Sequence, residues 1–260
     1  MASKKRKRLQ ATVTAIQRRW GWQALQRGQQ AFDPKADVPH FSTTFPALDE
    51  ALAGIGGIPR SRITEILGEP TSGMVTLALK IVTQAQAQGD TAIYIDLGAT
   101  FDPDYAARCG VKLSQLLLVR PTSGREALDI TRDLVAGRGT GLVIFDSVAN
   151  LFTPSPEAQG LATSLRTLPQ VLTHTHCALI FLTPLQFGNA PSLDNYPSGL
   201  ALPHFATVRL LLHKERWLQK QGDIRGYQAR VLVLKNKLGP AGRSAQIAIT
   251  FNGVVHGDST

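Results

Sequence analysis

Gly68-Glu69-Pro70-Thr71-Ser72-Gly73-Met74-Val75 has the spacing of a phosphate-binding loop without its two working side chains. The loop pattern is G-x-x-x-x-G followed by Lys and then Ser or Thr. Gly68 and Gly73 keep the glycine spacing, whereas Met74 stands in the Lys position and Val75 in the hydroxyl position. The two halves of the motif do separate jobs. Backbone N–H groups at a helix N-terminus form an anion nest, for which the glycines suffice. The Lys brings positive charge to the β- and γ-phosphates, and the hydroxyl ligates magnesium. The stretch therefore keeps the shape of a nucleotide cradle and lacks its chemistry.

Working outward, the pattern alternates strands and helices. Ile63–Leu67 is a short apolar run that feeds the loop as a buried strand. Residues 73–88 suit a helix, with Leu77, Ile81 and Val82 at helical spacing and Gly89-Asp90 as a stop. Further strands are expected over 91–96, 115–119, 141–146 and 178–182, and helices over 103–109 and 124–136. A helix around 158–175 should be broken or kinked at Pro169. Residues 183–204 hold Gly, Asn, Ser and four prolines and are expected to form a long surface loop. Strands over 206–213, 227–234 and 245–251 then follow, with Gly222, Gly239 and Gly242 in the turns. The expected fold class is α/β: a mainly parallel sheet flanked by helices and extended by C-terminal antiparallel strands.

Composition limits the function classes. A chain of 260 residues, 43% hydrophobic, can bury one large core without metal or disulfide staples. Cys109 and Cys177 lack ligand spacing, so no metal site is expected and a reducing compartment is. No uncharged apolar run approaches the roughly 18 residues of a membrane span, and no hydrophobic signal core follows the basic N-terminus. Cytoplasmic residence, away from membranes, is the expectation. Of the 28 Lys and Arg residues, Lys4, Lys5, Arg6, Lys7, Arg8, Arg18, Arg19 and Arg27 fall within residues 1–32, where there is no acid; the other 20 nearly balance all 19 acidic residues. The excess charge belongs to an arm. Such an arm is either a nucleic-acid contact, because each cation near a phosphate displaces a counterion, or a solvated tail. The chain divides into a basic disordered arm at 1–9, a helical segment at 10–35 suited to oligomerisation, and a core domain at 36–260, with no separate C-terminal domain expected.

Several stretches agree in order and spacing with one family. They are Phe41-Ser42-Thr43 to Leu48-Asp49, Gly56-Gly57-Ile58-Pro59-Arg60, Ile63 to Gly68, Ile95-Asp96 with Phe101-Asp102-Pro103-Asp104-Tyr105-Ala106, Val143 to Ala149, and Val233-Leu234-Lys235-Asn236-Lys237. Together they resemble the RecA recombinase ATPase core over about residues 11–253. The resemblance gives each site residue a role. Asp146 matches the Walker B aspartate that holds magnesium through water, or is a structural remnant. Asp102 and Tyr105 match the adenine contact, or simply start a short helix. Lys235 and Lys237 match the pair that reaches a neighbour's phosphates across the filament interface, or form an exposed basic strand end. Ile16, Trp20, Trp22 and Leu25 match the helix that docks on the next protomer. Trp20 and Trp22 cannot share one helix face, so at least one is free to anchor a partner.

The departures from the family bear on activity. Gly98 stands where the family has the glutamate that activates water, and Thr183-Pro184 stands where it has an Asn-Gln sensor of the γ-phosphate. With Met74 and Val75, four catalytic features are missing, each of a kind worth about 10² or more in rate. Thr76 is no substitute for Val75, since one step along a helix turns a side chain by about 100°. Residues 150–160 look too short for the first DNA loop, while 183–204 replaces the second, with Phe187, Asn189 and Tyr196 placed to stack on or bond to bases or else merely part of a surface loop.

The expectation is a non-catalytic RecA-like accessory, a degenerate paralogue similar to ImuA- and SulA-like proteins, serving DNA repair, recombination or damage tolerance. Its partners would be DNA, chiefly single-stranded, a RecA-type recombinase or translesion polymerase, and a second copy of itself. DNA contacts would fall on Lys4, Lys5, Arg6, Lys7, Arg8, Phe187 and Asn189. No cofactor is required; ATP is admitted without efficient hydrolysis. The alternatives are an atypical DNA-dependent ATPase and an adenine-nucleotide sensor that binds without hydrolysis.

Overall fold

The computed structural model describes residues 2–25, 38–151, 158–185, 201–251 and 255–259. They fall into two compact units, Met1–Asp37 and Val38–Thr260. In the first, α1 spans Ala2–Trp20 and a 3-10 turn spans Trp22–Ala24. The helix begins well ahead of residue 10, so Lys4 to Arg8 lie on its first turns and are not a disordered arm. Charge masked this in the sequence: Ala, Lys, Arg, Leu and Gln are all good helix formers, although cations oppose the dipole at an N-terminus. The helix stops at Gly21, whose φ of 88° suits glycine. The Gln17 side chain donates to the Leu25 carbonyl at 2.8 Å and ties down the exit. Trp20 and Trp22 are both exposed.

The second unit opens with a small ribbon, β1 (His40–Phe41) antiparallel to β2 (Ile58–Pro59), which encloses α2 (Pro46–Ala51). Asp49 accepts bonds from the Ser42 hydroxyl, the Thr43 backbone N–H and the Thr43 hydroxyl at 2.6–2.9 Å. Those three bonds explain why Ser42-Thr43 and Asp49 occur as a set.

The main sheet has nine strands in the order β11-β10-β9-β8-β3-β7-β6-β4-β5. The parallel part comprises β3 (Ile63–Gly68), β4 (Ala92–Asp96), β5 (Leu116–Val119), β6 (Leu142–Asp146), β7 (Ala178–Pro184) and the start of β8 (Val208–Lys220). Then β9 (Asp223–Asn236), β10 (Ser244–Phe251) and β11 (Val255–Ser259) continue antiparallel. This is the parallel sheet with an antiparallel extension that the sequence pattern implied. Strands buried on both faces read as unbroken apolar runs, which is why β4 and β6 were easy to find.

Helices cover both faces. On one, α3 (Met74–Ala87) sets Leu77, Ile81 and Val82 against Ile66, Tyr94, Ile144, Ile180, Leu210 and Leu212. On the other, α5 (Gly124–Ala136, following α4 at Pro103–Arg108) and α6 (Ala158–Leu172) set Leu128, Val135, Leu165 and Leu168 against Ile63, Ile93, Val143, Phe145 and Phe181. Pro169 neither ends nor divides α6, which runs on to Leu172; the Thr173 N–H still reaches the Pro169 carbonyl at 3.2 Å. The loop expected over 183–204 is shorter among the described residues, because β7 extends to Pro184 and α7 covers Leu202–Phe205.

One polar group interrupts the second face. Glu65, fully buried in β3, accepts from Arg209 Nε on β8 at 2.7 Å and from the Thr183 hydroxyl on β7 at 2.9 Å. Arg209 is only 4% exposed. Breaking a buried pair by removing one partner typically costs about 3–5 kcal/mol, whereas replacing both by apolar groups is often neutral. Arg209→Met should therefore lose stability on that scale in urea unfolding, and adding Glu65→Leu should restore most of it.

Candidate functional site

The site grows from the end of β3. At Gly68 the chain leaves the sheet, and the Ser72 N–H turns back to the Glu69 carbonyl at 3.0 Å. A Cβ on Gly68 would lie 2.3 Å from Ser72 Oγ, which would have to turn away, and 3.2 Å from the Leu212 carbonyl oxygen. Gly73 then caps α3 with φ 98° and ψ 9°, a left-handed conformation, and a Cβ there would meet Ile249 Cδ1 at 2.8 Å and the Tyr227 hydroxyl at 2.9 Å. The loop thus has the geometry the glycine spacing promised, with N–H groups at the start of a helix.

The side chains that follow carry no charge. Met74 is buried and Val75 half-buried, and both line a cavity of about 520 Å³ beside the loop. Thr76, one step on, is buried, with its hydroxyl 2.6 Å from that of Tyr105. It points into an aromatic wall, as the helical turn required, and does not replace the missing hydroxyl.

Asp146 sits at the end of β6, level with Asp96 on β4. Burial pushes its carboxyl above the usual range; the bond donated by the Tyr94 hydroxyl to Oδ2 at 2.6 Å works against that, and Asp96 adds to the rise. Asp96 is itself occupied by the Thr100 and Phe101 N–H groups and by Arg120. Magnesium–triphosphate does not suit this arrangement. The ammonium position is a buried thioether, the metal-ligand position is an isopropyl group, and the carboxylate is already engaged by a phenol. Among the described residues, no cluster of three His, Cys, Asp or Glu side chains is spaced to hold a metal.

Asp102 and Tyr105 start a short helix and also border the cavity. Asp102 caps α4, accepting from the Tyr105 N–H at 2.9 Å, and both residues line the cavity. Burial raises the Tyr105 phenol, while the Thr76 contact opposes this. Lys235 and Lys237 are placed elsewhere. Lys235 pairs with Arg209 across the sheet, on the face opposite α3, and donates to the carbonyls of Pro203 at 2.6 Å and His204 at 3.2 Å. Lys237 reaches the His204 carbonyl at 3.0 Å. Partial burial first, then Lys237 and Arg209, push the Lys235 ammonium down to about 8. Neither lysine lines the cavity. Gly98 lies in the exposed turn after β4, and the Thr183 hydroxyl is spent on Glu65. Lys4 to Arg8 belong to α1 in the other unit. Phe187, Asn189 and Tyr196 lie outside the described residues.

Sequence reasoning missed the far wall. Trp217 on β8, Tyr227 on β9 and Phe251 on β10 close the cavity opposite Tyr94, Phe101 and Tyr105. Their rings form a chain, with Trp217–Tyr227 centroids 6.0 Å apart and Tyr227–Phe251 5.7 Å apart. Only the strand register, which sets Trp217 opposite Tyr227, brings them together, and no local motif signals it.

With this geometry in place, three comparisons bear on the chain. A family model described as the RecA N-terminal domain matches residues 7–256. The protein RecA of Herpetosiphon aurantiacus is 35% identical over 271 residues, covering 97% of this chain and 74% of that protein. That of Thermus thermophilus is 37% identical over 271 residues, covering 96% and 78%. A crystal structure of the RadB recombinase shares the fold at a TM-score of 0.64 and 21% identity, covering 85% of this chain and 99% of that one.

The buried carboxyl gives a pH test. Because the folded-state pKa of Asp146 is raised, its contribution to stability is present below the ordinary carboxylate value near 4 and is lost as pH rises through the folded value. Asp146→Asn keeps an acceptor for Tyr94 and removes the titration. The variant should melt higher than the parent at pH 7, and the gap should shrink towards pH 4 in thermal scans.

Proposed function

The chain belongs to the RecA family, and from that premise we propose that it serves DNA repair and recombination as a non-hydrolysing accessory. Met74 carries the reading, since an uncharged, buried thioether occupies the place of the ammonium that grips triphosphate. Val75, Gly98 and Thr183-Pro184 support it, because none of them can hold the metal, orient the water or sense the γ-phosphate as the family residues at those positions do. On this reading the fold's surfaces are kept for binding, in the manner of ImuA- and SulA-like proteins, and no cofactor is needed for the role.

DNA, single-stranded in the first instance, is the proposed partner of α1, whose Lys4, Lys5, Arg6, Lys7 and Arg8 form a cationic end. A second copy, a recombinase or a translesion polymerase is the proposed protein partner. Exposed Trp20 and Trp22 support this, as do Leu117 and Leu118 on the edge strand β5, 55% and 38% exposed. The proposed setting is the cytoplasm; among the described residues no helix is long and apolar enough to cross a membrane.

Two measurements test the reading. ATP turnover with magnesium and single-stranded DNA should not exceed that of a Gly68→Val variant; clear DNA-stimulated turnover removed by that substitution would establish the atypical-ATPase alternative instead. Deleting residues 1–8 should lower the log–log salt slope of DNA binding by about 3.5 units on single strands and about 4.5 on duplex, the values for five phosphates neutralised. An unchanged slope takes α1 out of the interface.

A further inference from the structure

The antiparallel hairpin supplies a cation that the loop lacks. β8 runs parallel to β3 and pairs Gly68 with Leu212, so it continues beyond the point where β3 turns into the loop. Side chains alternate along a strand, and Leu210 and Leu212 face α3. Lys214 therefore falls on the same face, just past the end of the sheet. Its Nζ lies 3.2 Å from Thr71 Oγ1, a loop residue that lines the cavity.

A bulge then re-aims the strand. Lys214 pairs with Ala229 and Arg216 with Gln228, which leaves Glu215 as an extra residue on β8. Were Glu215 paired in a regular ladder, Trp217 would point to the opposite face. With the bulge, Trp217 stands opposite Tyr227 on the cavity side, and Lys214 Nζ lies 4.2 Å from the Trp217 ring centroid. Of the neighbouring charges, Glu215 and Arg216 are engaged within the hairpin, whereas Glu69 and Asp102 border the cavity. Glu215 takes Arg230 and Gln246, Arg216 bonds Gln228, and Glu69 lies 3.5 Å from His213.

We propose that Lys214 is the phosphate-binding cation of this site, and that the cavity takes a nucleotide without a divalent metal. The base lies among Tyr105, Tyr227 and Phe251, and the phosphate meets the loop N–H groups and the Lys214 ammonium. The volume of about 520 Å³ and the aromatic walls suit a base and sugar. Ser72 Oγ, buried in the loop, has no hydrogen-bond partner among the described residues. The inference rests on the non-hydrolysing reading of the loop.

Trp217 is a built-in reporter once Trp20→Phe and Trp22→Phe remove the other two tryptophans. In that background, ADP in EDTA should change Trp217 emission saturably, and adding magnesium should alter the affinity less than about twofold. Lys214→Met should weaken ADP binding by about tenfold or more, the usual effect of losing a charge-assisted bond. Lys214→Arg should stay within a few-fold of the parent, and adenosine should bind equally to parent and Lys214→Met. Calorimetry on the same samples checks that emission reports binding, and thermal melts check folding. No saturable ADP signal, a requirement for magnesium, or equal ADP affinity in parent and Lys214→Met would overturn the proposal. Turnover assayed in parallel separates the two readings: hydrolysis sinks the accessory role, whereas silence in both assays sinks only the Lys214 site.

Discussion

A carboxylate buried in the middle strand holds the architecture in place. Glu65 is caught from one side by Arg209 and from the other by Thr183, so β8 and β7 are fastened to β3 at one level. Everything that shapes the site starts a few residues further on: the turn at Gly68, the exit of β7 at Pro184 and the overrun of β8 towards the loop. An apolar trio could fill the same volume, but would not fix the strands along their length in the same way. Directional bonds between a fork and a carboxylate specify register, and register decides which side chains reach the cavity.

The sequence disclosed the frame because the frame is local. Apolar runs such as Ala92–Asp96 and Leu142–Asp146 announce strands buried on both faces, and the Gly68–Gly73 spacing announces a strand–turn–helix. The same locality explains the misreadings. Lys4 to Arg8 looked like a tail because charge density was weighed above helix propensity. Pro169 was expected to break or kink α6; it does not break it, and the neighbouring turns carry the helix through to Leu172. The site was half legible. Residues adjacent in sequence to the loop or strand ends were found, whereas Lys214, Trp217, Tyr227 and Phe251 were not, since they meet only through antiparallel pairing. Lys235 and Lys237 lie on the face opposite α3, because an irregularity between Arg209 and Leu210 turns the end of β9.

The retained and the missing parts differ in kind. The strand–turn–helix geometry is kept, with Gly73 in a left-handed conformation that disfavours any Cβ. Side-chain function is replaced by hydrophobic contact or by internal hydrogen bonds: Met74 joins the core, Thr76 turns to Tyr105, and Thr183 to Glu65. The Thr76 and Thr183 hydroxyls have partners within the protein, whereas Ser72 Oγ has none among the described residues.

The extra residue on β8 makes the inner wall insensitive to chain length at one point. Loss of the single codon for Glu215 would straighten the strand yet keep Arg216 opposite Gln228 and Trp217 opposite Tyr227, with the loop untouched. Membership of the wall is therefore written in the pairing with β9 and not in the number of residues that separate it from the loop.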